Sequence, residues 1–156
     1  TGKIFPPYLN ETRGESDFCE AVRQVVETAP EKDWIFVCDG LNTHKSETLV
    51  KYVAEACGID AGLGHKGKSG ILKSLRSREE FLHDPSHRIR FVYTPRHCSW
   101  MNQIEIWFGI INRKLLRRQS YTSIEEMKES IRRFIEQYNL TAHAFRWTYA
   151  GIPLTV

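Results

Sequence analysis

No apolar run in the chain is long enough to cross a bilayer, and Thr1 to Pro7 have neither the apolar centre nor the cleavage site of a secretory leader. The four cysteines, Cys19, Cys38, Cys57 and Cys98, include no C-x-x-C pair, which speaks against a zinc ribbon and against a disulfide framework. Reduced thiols in a cytosolic setting are the expectation. Internal repeats and low-complexity segments are absent, so one globular unit is expected from 156 residues that are 41% hydrophobic and 26% charged. An initiator Met is missing as well. A chain that starts on Thr1, in a stretch that reads as a strand, is expected to be a piece of a longer protein, with removal of a Met as the plainer alternative.

What the chain does have is an uneven charge. Residues 1–62 carry 6 basic and 11 acidic side chains, residues 63–118 carry 12 and 4, and the remainder 4 and 4, so the net +3 is built from −5, +8 and 0. An electropositive middle suits a phosphate backbone. Seven of its twelve bases lie between Lys66 and Arg90, however, where a solvated loop would serve equally well.

Hydrophobic spacing outlines the elements. Phe18, Val22, Val25, Val26 and Ala29 share one helical face, stopped by Pro30. Trp34 to Cys38 is a short apolar run, expected as a strand buried on both faces, with Asp39-Gly40 as its exit. Leu49, Val50, Val53, Ala54 and Cys57 mark a second helix, ended by Gly58. Strand, acid-tipped turn and helix make an α/β pattern. The stretch 58–88 is irregular and rich in Gly and Lys, with a short helix near Ile71 to Leu82, and reads as an inserted basic loop. Arg90 to Tyr93 is a further strand. Trp100, Ile104, Trp107, Phe108, Ile111 and Leu115 then fall on one helical face. Ser123 with Glu126 forms a capping box for a last helix that turns Ile124, Met127, Ile131, Phe134, Ile135 and Tyr138 inward.

Two acids stand out by position. Asp39 ends a strand, where open α/β sheets keep their ligands, but an Asp-Gly turn needs no function. Asn42 and His44, just beyond it, suit the orienting of a water or phosphate, or the capping of the next helix. Glu105 lies on a helix starting near Asn102, on a polar face that also holds Gly109, whose missing side chain leaves room for a metal or a DNA backbone. Asn102 and Glu105 also fit as a helix cap and its partner. Arg113, Lys114, Arg117 and Arg118 crowd the far end, placed for phosphates and for the helix dipole alike.

The run Gly62 to Ser69 satisfies G-x-x-x-x-G-K-[ST], the phosphate-cradling pattern of nucleotide-binding loops. Its context is wrong, because a helix rather than a strand precedes it and the acid-tipped strand comes earlier in the chain. His83 and His87 are spaced for a metal, but Asp84-Pro85 breaks any helix between them and zinc is not expected.

Taken together, Val37-Cys38-Asp39-Gly40-Leu41-Asn42-Thr43-His44-Lys45-Ser46 and Tyr93-Thr94-Pro95-Arg96-His97-Cys98-Ser99-Trp100-Met101-Asn102-Gln103-Ile104-Glu105-Ile106-Trp107-Phe108 resemble the second and third acidic motifs of mariner-like bacterial insertion-sequence transposases of the DDE superfamily. The likeness continues through the Gly/Lys-rich insert, Phe81 to Arg88, and Phe145 to Tyr149. The resemblance implies an α/β, RNase H-like catalytic domain, incomplete at its N-terminus, with a basic insert at 58–88 and C-terminal helices. It implies that Asp39 and Glu105 are catalytic metal ligands for Mg²⁺ or Mn²⁺, with two ions in the complete site. Asn102, His44 and Asn42 would support them, and Lys66, Lys68, Lys73, Arg96, His97, Arg113, Lys114, Arg117 and Arg118 would contact DNA. The implied partners are element terminal inverted repeats, target DNA and a second copy of the full-length protein. Two departures qualify this. Sixty-five residues separate the two acids, which the insert absorbs, and the family's first acid lies upstream of the first helix. Glu11, Glu15 and Asp17 do not take that place, so the chain alone is expected to be inactive or nearly so. The rival readings are a non-catalytic DNA-binding or dimerisation remnant and a nucleotide-binding protein that depends on Lys68.

Overall fold

The computed structural model describes residues 2–95 and 104–144. Residues 2–13 form an irregular arm anchored near its start by an amide: Asn139 Nδ2 donates to Ile4 O at 2.7 Å, and Ile4 N donates back to Asn139 Oδ1 at 2.8 Å. Helix α1 follows at Glu15–Glu27, strand β1 at Trp34–Cys38, a 3₁₀ turn at Asn42–Lys45 and helix α2 at Glu47–Ala56. A second 3₁₀ turn, Ile71–Lys73, leads into α3 (Leu75–His83) and strand β2 (Ile89–Tyr93). Helix α4 (Ile104–Ile111) runs into a π turn at Asn112–Leu116, and α5 (Ile124–Leu140) ends the described chain.

β1 and β2 pair in parallel, Trp34 with Ile89 through Cys38 with Tyr93. Thr94 N continues the ladder by donating to Cys38 O at 2.9 Å. The alternation of a strand puts Phe36, Cys38, Ile89 and Phe91 on the face that meets α1, α2 and α3, where Val22, Val26, Leu49, Val50, Val53, Leu72 and Leu82 complete the core. Phe36 stacks on Phe91 with centroids 5.1 Å apart. The opposite face is bare among the described residues: Ile35 is 54% exposed and Val37 57%. Among the described residues β1 is therefore buried on one face where burial on both was expected, because the three neighbouring helices lie on the same side of the sheet.

The stretch 58–88 divides in two. Residues 58–70 form a loop tied to itself, with His65 N donating to Ser69 O and Leu72 N to Leu63 O. It closes so tightly that a Cβ at Gly64 or Gly70, both at positive φ, would collide with the facing backbone of Ser69 or Leu63. From Ile71 onward the segment is integral, since Leu72 and Leu82 are buried in the sheet core. The context that argues against a nucleotide loop is seen directly: α2 precedes Gly62 to Ser69, and the α-helix that follows starts at Leu75. His83 Nδ1 is bonded to Phe91 O at 2.8 Å, while the His87 ring packs on Phe81.

A second cluster joins Trp107, Ile111 and Leu115 to Ile135 of α5. Of the apolar face expected on α4, Phe108 stays 50% exposed, and Ile124 of α5 is 53% exposed rather than inward. Ser123 caps α5 by accepting from Glu126 N at 3.1 Å, but the Glu126 carboxylate turns one residue further back, to Thr122 N and Oγ1, so the reciprocal box is not formed. None of the described helices is long and apolar enough to cross a membrane.

Candidate active site

Asp39 is the first residue beyond β1, carried to the tip of the sheet by the buried Cys38. Its Oδ1 lies 2.8 Å from His44 Nδ1 and accepts from Leu41 N at 3.2 Å. Among the described residues Oδ2 has no partner. His44 is itself held from three sides. Its ring lies 4.0 Å from that of Phe18, its Nδ1 is also within 3.2 Å of Asp39 O, and its own carbonyl accepts from Tyr93 Oη at 2.9 Å. Burial raises the Tyr93 phenol far above its ordinary pKa, with the nearby Cys38 and Glu79 adding to the effect, so Tyr93 remains a donor. The same burial, helped by the charge of Asp39, pushes the Cys38 thiol up to about 12 and keeps it unreactive beneath the acid.

Lys45 closes the turn from below. It is 7% exposed, paired with Glu79 at 2.8 Å, and lies over the Tyr93 ring at 4.5 Å. A Cβ on Gly40 would sit 3.6 Å from its ammonium. Ser46, fully buried, accepts from Leu49 N and starts α2. The turn 39–46 is therefore fastened to α1, α3 and β2. Asn42 is exposed on its outer side and lines an open cleft of about 530 Å³ with Arg13, Gly40, Leu41 and Thr43.

Glu105 occupies the first turn of α4, exposed and without a hydrogen bond or ion pair among the described residues. The room expected beside it at Gly109 is taken: the Arg113 guanidinium lies where a Gly109 Cβ would meet it at 3.1 Å, the ordinary reach of a long side chain to the residue four before it. Asn102, Arg96 and His97 lie outside the described residues, as do Cys98 and Phe145 to Tyr149.

Of the candidate DNA contacts, Lys66 is engaged with Glu15 of α1 at 3.4 Å, while Lys68 and Lys73 are exposed. Arg113, Lys114, Arg117 and Arg118 are exposed around the π turn, where Arg118 Nε donates to Arg113 O at 3.1 Å. Other bases in the electropositive middle have structural duties. Arg78 donates to Lys45 O and Leu72 O, and Arg88 donates to the carbonyls of Pro30, Lys32 and Ala56.

Of the acids near the first helix, Glu15 faces Lys66 at 3.4 Å and Asp17 is fully engaged by donors. Asp17 is buried and accepts from Thr12 Oγ1 at 2.7 Å, Gly14 N at 2.6 Å, Asn10 Nδ2 at 2.7 Å and Tyr8 Oη at 3.4 Å. Those donors, Thr12 foremost, hold its pKa below the ordinary 3.8. A half-buried Asp with one free oxygen and an exposed Glu are hard oxygen donors of the type that Mg²⁺ or Mn²⁺ takes. No group of three or more His, Cys, Asp or Glu is drawn together for a metal among the described residues.

The arrangement is that of an α/β domain with an acid fixed at the end of a parallel strand. The family model of the DDE superfamily endonucleases matches residues 1–128, and the chain belongs to that family. Nuclease chemistry of the transposase type is the class of function this membership carries. Comparisons with curated proteins and with solved structures found no match.

Proposed function

We propose that this chain is the RNase H-like catalytic part of an insertion-sequence DNA transposase, with Asp39 and Glu105 as two of its three metal-binding carboxylates. The observation that carries the proposal is Asp39 itself, held by His44 at the end of β1 with one oxygen unpartnered among the described residues, in a chain that belongs to the DDE family. Divalent metal bound between the two acids would supply Lewis-acid activation of the attacking oxygen and charge stabilisation of the leaving one. The protein's own groups do the rest. His44 orients the Asp39 carboxylate and Asn42 faces the substrate. Lys68, Lys73, Arg113, Lys114, Arg117 and Arg118 offer exposed cations to the DNA backbone, with Lys66, Arg96, His97 and Asn102 as the remaining members of the proposed contact and support set. The substrates are element ends and target DNA, and the working form is a homodimer of the full-length protein in the cytoplasm.

With two carboxylates assigned, the chain by itself is expected to bind metal and DNA but to cleave little. Fe²⁺-directed backbone cleavage, with the iron in place of Mg²⁺ and the cuts mapped by mass spectrometry, tests this without requiring activity. Cuts near both Asp39 and Glu105 that disappear together in Glu105→Ala support a shared site. Cuts near Gly67 to Ser69 alone, or none near either acid, overturn it.

A further inference from the structure

The arm before α1 places a cation beside the turn that follows Asp39, and no motif announces it. Arg13 lines the same open cleft as Gly40, Leu41, Asn42 and Thr43. It is exposed, and among the described residues its guanidinium has no ion pair or hydrogen bond. Two acids near it in the chain are engaged elsewhere, Glu15 with Lys66 and Asp17 with its four donors.

The backbone carrying Arg13 is nonetheless tied down. Both its neighbours, Thr12 and Gly14, donate to the same Asp17 oxygen, at 2.7 and 2.6 Å, and Gly14 is the N-cap of α1. Asn10 and Tyr8 close the knot from the other oxygen. An unpaired guanidinium on a fixed backbone loses less freedom on binding than a lysine on a loose loop, and its fork matches two phosphate oxygens. Across the cleft, Gly40 leaves the floor open, Leu41 is 57% exposed as an apolar wall, and Asn42 offers an amide. A cation, an apolar wall and an amide around one open cleft match the phosphate, sugar and base of a nucleotide.

We propose that Arg13 is a DNA-binding residue that grips the phosphate of the nucleotide next to the scissile one, and that Asp17 is the positioning residue that aims it. This rests on the transposase reading given above. The test uses the 156-residue chain, a short fluorescein-labelled DNA duplex, and binding curves by anisotropy over a series of salt concentrations. Arg13→Gln is expected to bind about tenfold more weakly at low salt, with a slope of log affinity against log salt shallower by ~0.9, the share of one phosphate. Arg13→Lys keeps the wild-type slope but recovers only part of the affinity, because the charge remains and the fork does not. Asp17→Asn weakens binding with an unchanged slope, since the cation is still present but no longer held. Thermal unfolding of both Arg13 variants should match wild type. If wild type binds DNA in a salt-dependent manner and Arg13→Gln has the same slope and affinity, the assignment of Arg13 fails while the DNA reading stands. If wild type shows no salt-dependent binding, both fall.

Discussion

Asp39 stands on twelve clustered buried side chains, six of them with no exposed surface, whereas Glu105 stands on four that each retain 4–7%. The first cluster binds three helices to a sheet and is crossed by hydrogen bonds from Tyr93, Arg78 and Arg88. The second joins α4 to one face of α5 and to Ile4 of the arm. The contrast separates two ways of presenting a carboxylate. One acid is locked in orientation by its surroundings before any substrate arrives. The other rides on a helix whose exposed side still carries Phe108, so its position follows from whatever the helix packs against.

The largest effect expected from this contrast is at Phe91, fully buried and stacked between Phe36 and Tyr93. Phe91→Ala should cost about 3–5 kcal/mol in urea unfolding, enough to abolish a folded sheet in a domain of ordinary stability. Ile135→Ala comes next, at about 2 kcal/mol, the low end for a large-to-small change because its cluster is small and already near solvent. Hydrogen exchange should show α4 and α5 amides released by that change while those of α2 stay protected. Equal protection loss in all three helices would mean that the two clusters unfold as one.

The helix starts sharpen the comparison further. Ser46 is fully buried and Ser123 is exposed, although each accepts from the amide three residues on. Ser46→Ala should cost about 1–2 kcal/mol and Ser123→Ala about 0.5 kcal/mol.

Acid titration is expected to move stability by less again. Asp17 and Glu126 are both held below their ordinary pKa values, by Thr12 and by Thr122 foremost. Their folded forms give up a proton more readily than the unfolded chain. Their stabilisation is therefore complete above the ordinary carboxylate range and is lost as pH falls through it toward the lower folded values. Asp17→Asn should flatten the acid-side fall of the urea midpoint more than Glu126→Gln, because Asp17 is buried and Glu126 is screened by water. The smallest effect belongs to the bare sheet face: Val37→Thr should change stability by less than about 0.5 kcal/mol. A loss of several times that would reveal a covering element over Ile35 and Val37.

Much of the architecture was legible from local pattern. Both strands, the helices ending near Glu27 and Ala56, the cap at Ser123 and the Asp-Gly exit from β1 all depend on residues within a few positions of one another. So did the family, because its two acidic motifs are short and ordered. Local pattern could not say that β1 would be covered on one side only among the described residues, or that Leu72 and Leu82 would carry the end of the basic stretch into the sheet core.

The sequence by itself therefore determined most of the elements and their order, through periodicity and turn chemistry that act over a few residues. Only the tertiary structure decided which charged groups are free to work. Lys66 is taken by Glu15, 51 residues away, and His44 is braced by Tyr93 from a distance of 49. Arg13 is left unpaired among the described residues, in the cleft lined by the turn after Asp39, while Glu15 is turned to Lys66 and Asp17 to its four donors. Availability depends on neighbours brought together by packing, and that neighbourhood is written nowhere in the spacing of the chain.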